Sequence, residues 1–324
     1  MFPAKLRYGF TTHILLAASL LVELVLKGCT PAPAFQPIPT PPSTATLMTA
    51  APATATAVVA TPTVANEKGT DSAPTQPPSP SASPSPLNPE ICTAGSGQIE
   101  HQSLSTGLLP QPLEFGVYLP PCYASLPEHR YPVLYLLHGQ TFTDDQWVRL
   151  GITALADRLI SAGEIPPLLM VMPHENNWPQ PDETNFGKAV TDVLLPWIDS
   201  QYPTIPERSS RAIGGVSRGA AWAVHLGLTR WQLFGAIGAH SLPIFWTDSE
   251  QITHWLDAIP VGAMPRIYID ISKNDADMAS AIDFENLLNA RGIPHEWTIR
   301  PGYHGEGYWQ AHVEEYLRWY AAKW

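Results

Sequence analysis

Cysteine is scarce in this chain: Cys29, Cys92 and Cys122 are its only three in 324 residues. None is spaced with histidine as a structural zinc site requires. Positive charge is also short, with 18 Lys and Arg against 29 Asp and Glu, a formal net charge of −11. Ahead of position 91 the basic Lys5, Arg7, Lys27 and Lys68 are offset by the acidic Glu23, Glu67, Asp71 and Glu90. Residues 91–324 therefore carry the whole excess, and a surface of that sign argues against nucleic acid as a partner. From Thr30 to about Glu90 large apolar side chains are missing. Pro, Ala, Thr and Ser fill that stretch, as in Pro77-Pro78-Ser79-Pro80-Ser81. Such a segment cannot offset its ordering entropy by burial, which predicts an extended tether rather than a domain, with a composition that permits O-glycosylation.

Before the tether, Lys5 and Arg7 precede the apolar run Ile14 to Leu26 and then Leu26-Lys27-Gly28-Cys29. This order resembles a bacterial lipoprotein signal, in which Cys29 is the lipidated residue. Glu23 inside the apolar run and Lys27 beside the cleavage point depart from the pattern, and an uncleaved membrane anchor is the alternative. Both readings predict an exported chain, at the cell surface or in the periplasm, held to a membrane. The expected organisation is an anchor over 1–29, a linker over 30–90 and one folded unit over 91–324, long enough for a single sizeable core. Cys92 and Cys122 flank its first strands and form a candidate disulfide for an exported protein, free buried thiols being the alternative.

Within that unit, Leu113 to Leu119 alternates and stops at Pro120-Pro121, which predicts an antiparallel opening strand. Tyr131 to Gly139 is nearly all apolar, as for a strand covered on both faces. Further strands are predicted at Leu168 to Met172, Arg211 to Gly215, Gly235 to Ala239, Arg266 to Ile271 and Trp297 to Arg300. Helices are predicted at Ile152 to Ala162, Phe186 to Tyr202, Ala220 to Thr229, Met278 to Arg291 and Tyr308 to Ala322. Alternation of this kind implies an α/β fold, a mostly parallel sheet flanked by helices on both faces.

One turn carries chemistry. Gly215-Val216-Ser217-Arg218-Gly219 ends an apolar strand and opens a helix, which puts Ser217 at the apex of a tight elbow. Chance alone yields this pattern in about one domain in ten. Two more strand ends supply partners: a polar loop with Asp275 and Asp277 after Arg266 to Ile271, and Gly302-Tyr303-His304-Gly305 after the last strand. The order serine, acid, histidine is that of α/β-hydrolases, and open α/β sheets gather functional groups at strand carboxyl ends.

These stretches, together with Pro132 to Gly139, resemble the esterase-D-type esterases of the α/β-hydrolase fold over essentially residues 112–324. That family includes feruloyl and acetyl-xylan esterases, enterochelin esterases, S-formylglutathione hydrolases and the antigen 85 mycolyltransferases. The resemblance implies Ser217 as nucleophile, Asp275 as acid, His304 as base, and the backbone amides of Gln140 and Arg218 as an oxyanion hole, with no metal and no cofactor. Ser272 stands where the family commonly has Gly, which leaves Asp270, Asp275 and Asp277 open as the acid. Asp277 also suits a helix N-cap, and Asp270 an inward structural hydrogen bond. His138 is expected to orient the oxyanion loop and His240 to be structural. Trp147, His174, Trp178 and Trp309 are candidates for the substrate cleft, since aromatics there can stack on a sugar or phenolic acyl group. The implied activity is hydrolysis of a small-molecule or polysaccharide-linked ester, a feruloyl, other carbohydrate or siderophore ester. An acyltransferase of the mycolyltransferase type and a silent binding domain on a stalk are the alternatives.

Overall fold

The computed structural model describes residues 95–324. The expected anchor and tether, with Cys29 and Cys92, lie outside the described residues, so the proposed Cys92–Cys122 pairing does too. Among the described residues no helix is long and apolar enough to cross a membrane.

Eight strands form one sheet in the order β1-β2-β4-β3-β5-β6-β7-β8. They are β1 (Gln98–Leu104), β2 (Leu113–Leu119), β3 (Val133–Leu137), β4 (Leu169–Pro173), β5 (Arg211–Val216), β6 (Ala236–His240), β7 (Arg266–Ser272) and β8 (Glu296–Arg300). β1 pairs antiparallel with β2 and β2 antiparallel with β4, and β3 through β8 are parallel. β1 carries only Ile99 and Leu104 as large apolar residues, too weak an alternation to read in advance. The helices are α1 (Gln146–Arg149), α2 (Ile152–Ser161), α3 (Phe186–Lys188), α4 (Leu195–Gln201), α5 (Arg218–Thr229), α6 (Ile252–Ala258), α7 (Met278–Ala290) and α8 (Glu306–Ala321). This is the α/β-hydrolase arrangement.

The helix expected over 186–202 is not uniform: α3 runs into a π-helical segment, Ala189–Leu194, and then α4. Pro196 in the first turn of α4 has no N–H to donate back to Asp192, so the regular ladder cannot pass through it. α6 is short and follows a polar run, and it escaped the periodicity reading.

Both faces of the central strands are buried. Val133, Tyr135 and Leu137 of β3 join one core with Ile213, Ile237, Trp222 and Phe284. Leu134 and Leu136 point to the other, with Ala212, Tyr268, Leu317 and Tyr320. Period-two alternation sorts a continuous apolar run into two cores, one under each helical layer.

Chain order places the site. From β3 the chain moves outward to β4, then returns past β3 to β5 and onward in the opposite direction. The crossing point lies between β3 and β5, where open α/β sheets form a crevice at strand carboxyl ends.

Tyr320 of α8 lies against a glycine pair on neighbouring strands, Gly214 of β5 and Gly238 of β6. A Cβ on either would overlap the tyrosine hydroxyl, which itself hydrogen-bonds His240 Nε2 at 3.0 Å. Gly238→Ala is therefore expected to cost about 1–3 kcal/mol through overpacking. Urea denaturation checks this, and a change below about 0.5 kcal/mol, the size of a neutral surface substitution, would overturn it.

Candidate active site

The elbow depends on two close backbone approaches. A Cβ on Gly215 would overlap the carbonyl of Gly219, and one on Gly219 would overlap the carbonyl of Leu137 at the exit of β3. Helix α5 can start this near β5 and β3 only because both positions lack side chains. Ser217 takes up the sharp turn with φ 53° and ψ −126°, a region sparsely populated by residues with a Cβ. Its N–H is tied to His240 O at 2.9 Å, anchoring the turn on β6.

Asp275 and His304 are brought to Ser217 by the last two strands. Ser272 of β7 registers with Arg300 of β8. Beyond the pair, Lys273 N–H donates to Arg300 O at 2.7 Å and Asn274 N–H to Gly302 O at 3.2 Å. The two exit loops are thus laced together. His304 Nδ1 lies 2.8 Å from Asp275 Oδ1, and His304 Nε2 lies 2.9 Å from Ser217 Oγ. Asp275 Oδ1 also accepts the Asp277 N–H at 3.0 Å. Asp275 is buried, whereas the His304 side chain is 30% exposed.

The three aspartates have separate places. Asp270 is fully buried, 2.5 Å from His240 Nδ1, and accepts the hydroxyls of Tyr308 at 2.9 Å and Tyr316 at 2.7 Å. Asp277 occupies the N-cap position of α7 but makes no side-chain cap hydrogen bond; its carboxylate stands 3.6 Å from His304 Nδ1. Burial raises the pKa of the Asp275 carboxyl, but hydrogen bonds from His304 and the Asp277 amide outweigh it and hold the group below its ordinary value. The Asp275 hydrogen bond raises His304 above 6.5 against burial, helped by the charges of Asp275 and Asp277. Burial pushes Asp277 up.

The turn after β3 is pinned from beneath. The carbonyl of the buried Gln146 side chain accepts the Gly139 N–H at 2.7 Å. His138 Nδ1 donates to Gly139 O at 2.8 Å, and its Nε2 accepts the Glu175 N–H at 2.8 Å. Burial lowers the His138 pKa to about 4, so the imidazole stays neutral in this bridge. Gln140 is exposed in that turn, and Arg218 N–H is the first amide of α5, one the helix's own ladder leaves unpaired. The adjacency of β3 and β5, with Leu137 opposite Gly215, brings both amides to the same end of the sheet as Ser217.

Of the four expected cleft residues, two are corrected. Trp147 is 1% exposed and donates Nε1–H to Leu137 O at 3.0 Å, beneath the site, with its ring edge to His240. Trp309 is 2% exposed and donates to Ser241 Oγ at 3.0 Å, its ring meeting His304 edge-on at 5.2 Å. Their large rings have more to gain under the sheet end than above it. Trp178 is 47% exposed, and His174 lies in a small cleft with Leu113, Asn176 and Phe186.

Sequence reasoning missed Ser241, Gln146, Glu175 and the Arg218 side chain. Ser241, fully buried at φ 54°, hydrogen-bonds Asp275 and accepts from Trp309, tying the acid to the wall behind the histidine. Its position one residue beyond a strand was the sole clue. The Arg218 guanidinium is buried in a paired contact with Glu175, at 2.7 Å twice. Burial raises Glu175 despite that partner. Among the described residues, Asp275, Asp277 and His304 are the one triplet whose donor atoms converge as metal ligands do. Ser217 and Asp275 already engage both His304 nitrogens, so the arrangement does not fit a metal ion.

The sequence profile of a family described as "Putative esterase" matches residues 106–320. An endo-1,4-beta-xylanase/feruloyl esterase of Xylanibacter ruminicola is 32% identical over 152 residues, 44% of this chain and 20% of that protein. An esterase of Mycobacterium tuberculosis is 30% identical over 134 residues, 39% of this chain and 28% of the relative. The chain thus spans under a third of either relative's length. Among solved structures, a ferulic acid esterase superimposes with TM-score 0.63 at 23% identity, over 70% of this chain and 98% of that one. One from Anaeromyces mucronatus, in complex with ferulic acid, gives 0.59 at 19% identity, over 71% and 92%.

The electrostatics of the histidine are directly measurable. By proton NMR, His304 should titrate above 6.5, and Asp277→Asn should move its midpoint down by less than Asp275→Asn does. An unmoved midpoint in Asp277→Asn would remove Asp277 from the site's electrostatics.

Proposed function

The chain belongs to the "Putative esterase" family, and we propose that it is a serine carboxylic ester hydrolase in which Ser217, His304 and Asp275 perform the chemistry on a carbohydrate-linked acyl or feruloyl ester. The observation that carries this reading is the continuous hydrogen-bonded line from Ser217 Oγ through both His304 nitrogens to Asp275. In the mechanism, His304 takes the Ser217 proton as Oγ adds to the ester carbonyl. Asp275 keeps the Nδ1–H tautomer and stabilises the imidazolium. The amides of Gln140 and Arg218 receive the oxyanion. Collapse expels the alcohol, protonated by His304, and leaves an acyl-serine; water then repeats the steps and releases the acid. The acyl class is supported by the Xylanibacter relative, named for feruloyl esterase activity, and by the ferulic acid esterases of the same fold. The lipoprotein-like start and the tether composition support an exported, membrane-held enzyme with its working domain over 91–324.

Ser217→Ala in the full chain should abolish turnover of p-nitrophenyl acetate and methyl ferulate, and Asp275→Asn should lower kcat roughly 10⁴-fold through the wrong histidine tautomer. Since His304 must be unprotonated to act as base, kcat/KM should rise with pH on a limb centred above 6.5. Equal turnover by Ser217→Ala would sink the assignment, and product formed only with a sugar alcohol present would make the protein a transferase. Mass spectrometry of the membrane-extracted protein tests the anchor separately: a diacylglyceryl group on Cys29 is expected, and its absence removes the lipoprotein reading alone.

A further inference from the structure

Six large apolar side chains are exposed among the described residues: Trp178, Trp246, Val261, Ile282, Ile299 and Tyr303. The three aromatic ones share one edge of the molecule. Trp178 follows β4, Trp246 follows β6 and Tyr303 follows β8, and these strands are parallel, so all three residues lie on loops that leave the carboxyl ends of the strands, the end of the sheet that carries Ser217. In the strand order, β4 and β6 lie on either side of the β3–β5 pair that carries Gln140 and Ser217. The two tryptophan loops therefore leave the sheet on either side of the strand pair that carries the nucleophile, and Tyr303 is the residue before His304.

The tryptophan loops are held rather than loose. Arg218 grips the first through Glu175 and through Pro179 O at 2.5 Å, one residue from Trp178. Its guanidinium also stands 4.9 Å from the Phe245 ring, one residue from Trp246. Phe245 is buried against Trp222 while Trp246 is 71% exposed. A buried ion pair thus holds two loops that each present an indole to solvent, where an unneeded tryptophan would be a solubility cost.

We infer that Trp178 and Trp246 form a binding platform for a neutral polysaccharide chain, seated so that an ester on the chain reaches Ser217. Exposed hydrogen-bonding residues adjoin each ring along the chain, Asn176 and Asn177 on one loop and Ser249 and Glu250 on the other. A flat pyranose, with apolar C–H faces and hydroxyls around its edge, matches that alternation; a protein partner calls for contiguous apolar area. The net charge of −11 selects a neutral chain over an anionic one. This inference rests on the esterase reading for the ester's place on the chain, but the surface can be tested without turnover.

Affinity electrophoresis of the full-length Ser217→Ala protein in gels with soluble arabinoxylan, hydroxyethyl cellulose or polygalacturonate reads binding alone. Retardation by a neutral polymer is expected. Adding Trp246→Ala should reduce it at least fivefold, and Trp246→Tyr should restore most of it, as a stacking role requires. Retardation unchanged in Trp246→Ala, retardation by polygalacturonate only, or no retardation in any gel would overturn the platform. Loss of ester hydrolysis by the wild-type chain would instead count against the esterase reading. In active protein, Trp246→Ala should lower the ratio of kcat/KM on feruloylated arabinoxylan to that on methyl ferulate about tenfold, through KM.

Discussion

The site depends on how closely α5 can approach the sheet. Gly215 meets the Gly219 carbonyl and Gly219 meets the carbonyl of Leu137, so the helix start is wedged between β5 and β3 without a side chain to spare. That contact forces Ser217 to φ 53°, a conformation costing on the order of 1–3 kcal/mol. It holds because the neighbours over-determine it: the Ser217 N–H on His240 O, the register of β5 with β6, and the packing of α5 on both. What the strain achieves is a hydroxyl lifted clear of the strand, beside the first free amide of a helix.

Behind the elbow the interior is polar, which is expensive unless every group is satisfied. Asp270 takes two tyrosine hydroxyls on one oxygen and His240 on the other, and His240 is shared with Tyr320. Burial, joined by the Asp270 charge, pushes the hydroxyls of Tyr308, Tyr316 and Tyr320 far above their ordinary pKa, so all three remain donors. The network fastens α8 to β6 and β7. Since Gly302-Tyr303-His304-Gly305 enters α8, the histidine is set by the same bonds, and Trp309 and Ser241 extend them to Asp275.

The fold was legible because its signals are strong ones: β3 and β4 are continuous apolar runs, β7 alternates through Ile267, Ile269 and Ile271, and strands and helices follow one another in turn. The strand-end rule then led to Ser217, Asp275 and His304, whose side chains the structure draws into one line of hydrogen bonds. The same rule cannot separate what lies above a sheet end from what lies below it. Trp147 and Trp309 sit at the right positions along the chain and are buried, whereas Trp246 is open and went unremarked. Side-chain direction is decided by neighbours distant in sequence: Leu137 O for Trp147, Ser241 for Trp309, Phe245 filling the inward place beside Trp246. Edge strand β1 and the π-helical turn before Pro196 escaped for a related reason, since pairing and ladder repair are tertiary events.

The Arg218–Glu175 pair shows how this arrangement uses an unfavourable element. Removing both charges from water gains little or nothing in stability compared with apolar side chains of similar size. Arginine offers what those cannot: a rigid fork that binds Glu175 twice, a further donor for Pro179 O and a flat face for Phe245. The residue after the proposed nucleophile thereby fixes two loops that no backbone ladder joins. Its main chain starts α5, and its side chain reaches both loops. A single side chain thus joins the loop after β4 and the loop after β6 to the first residue of α5.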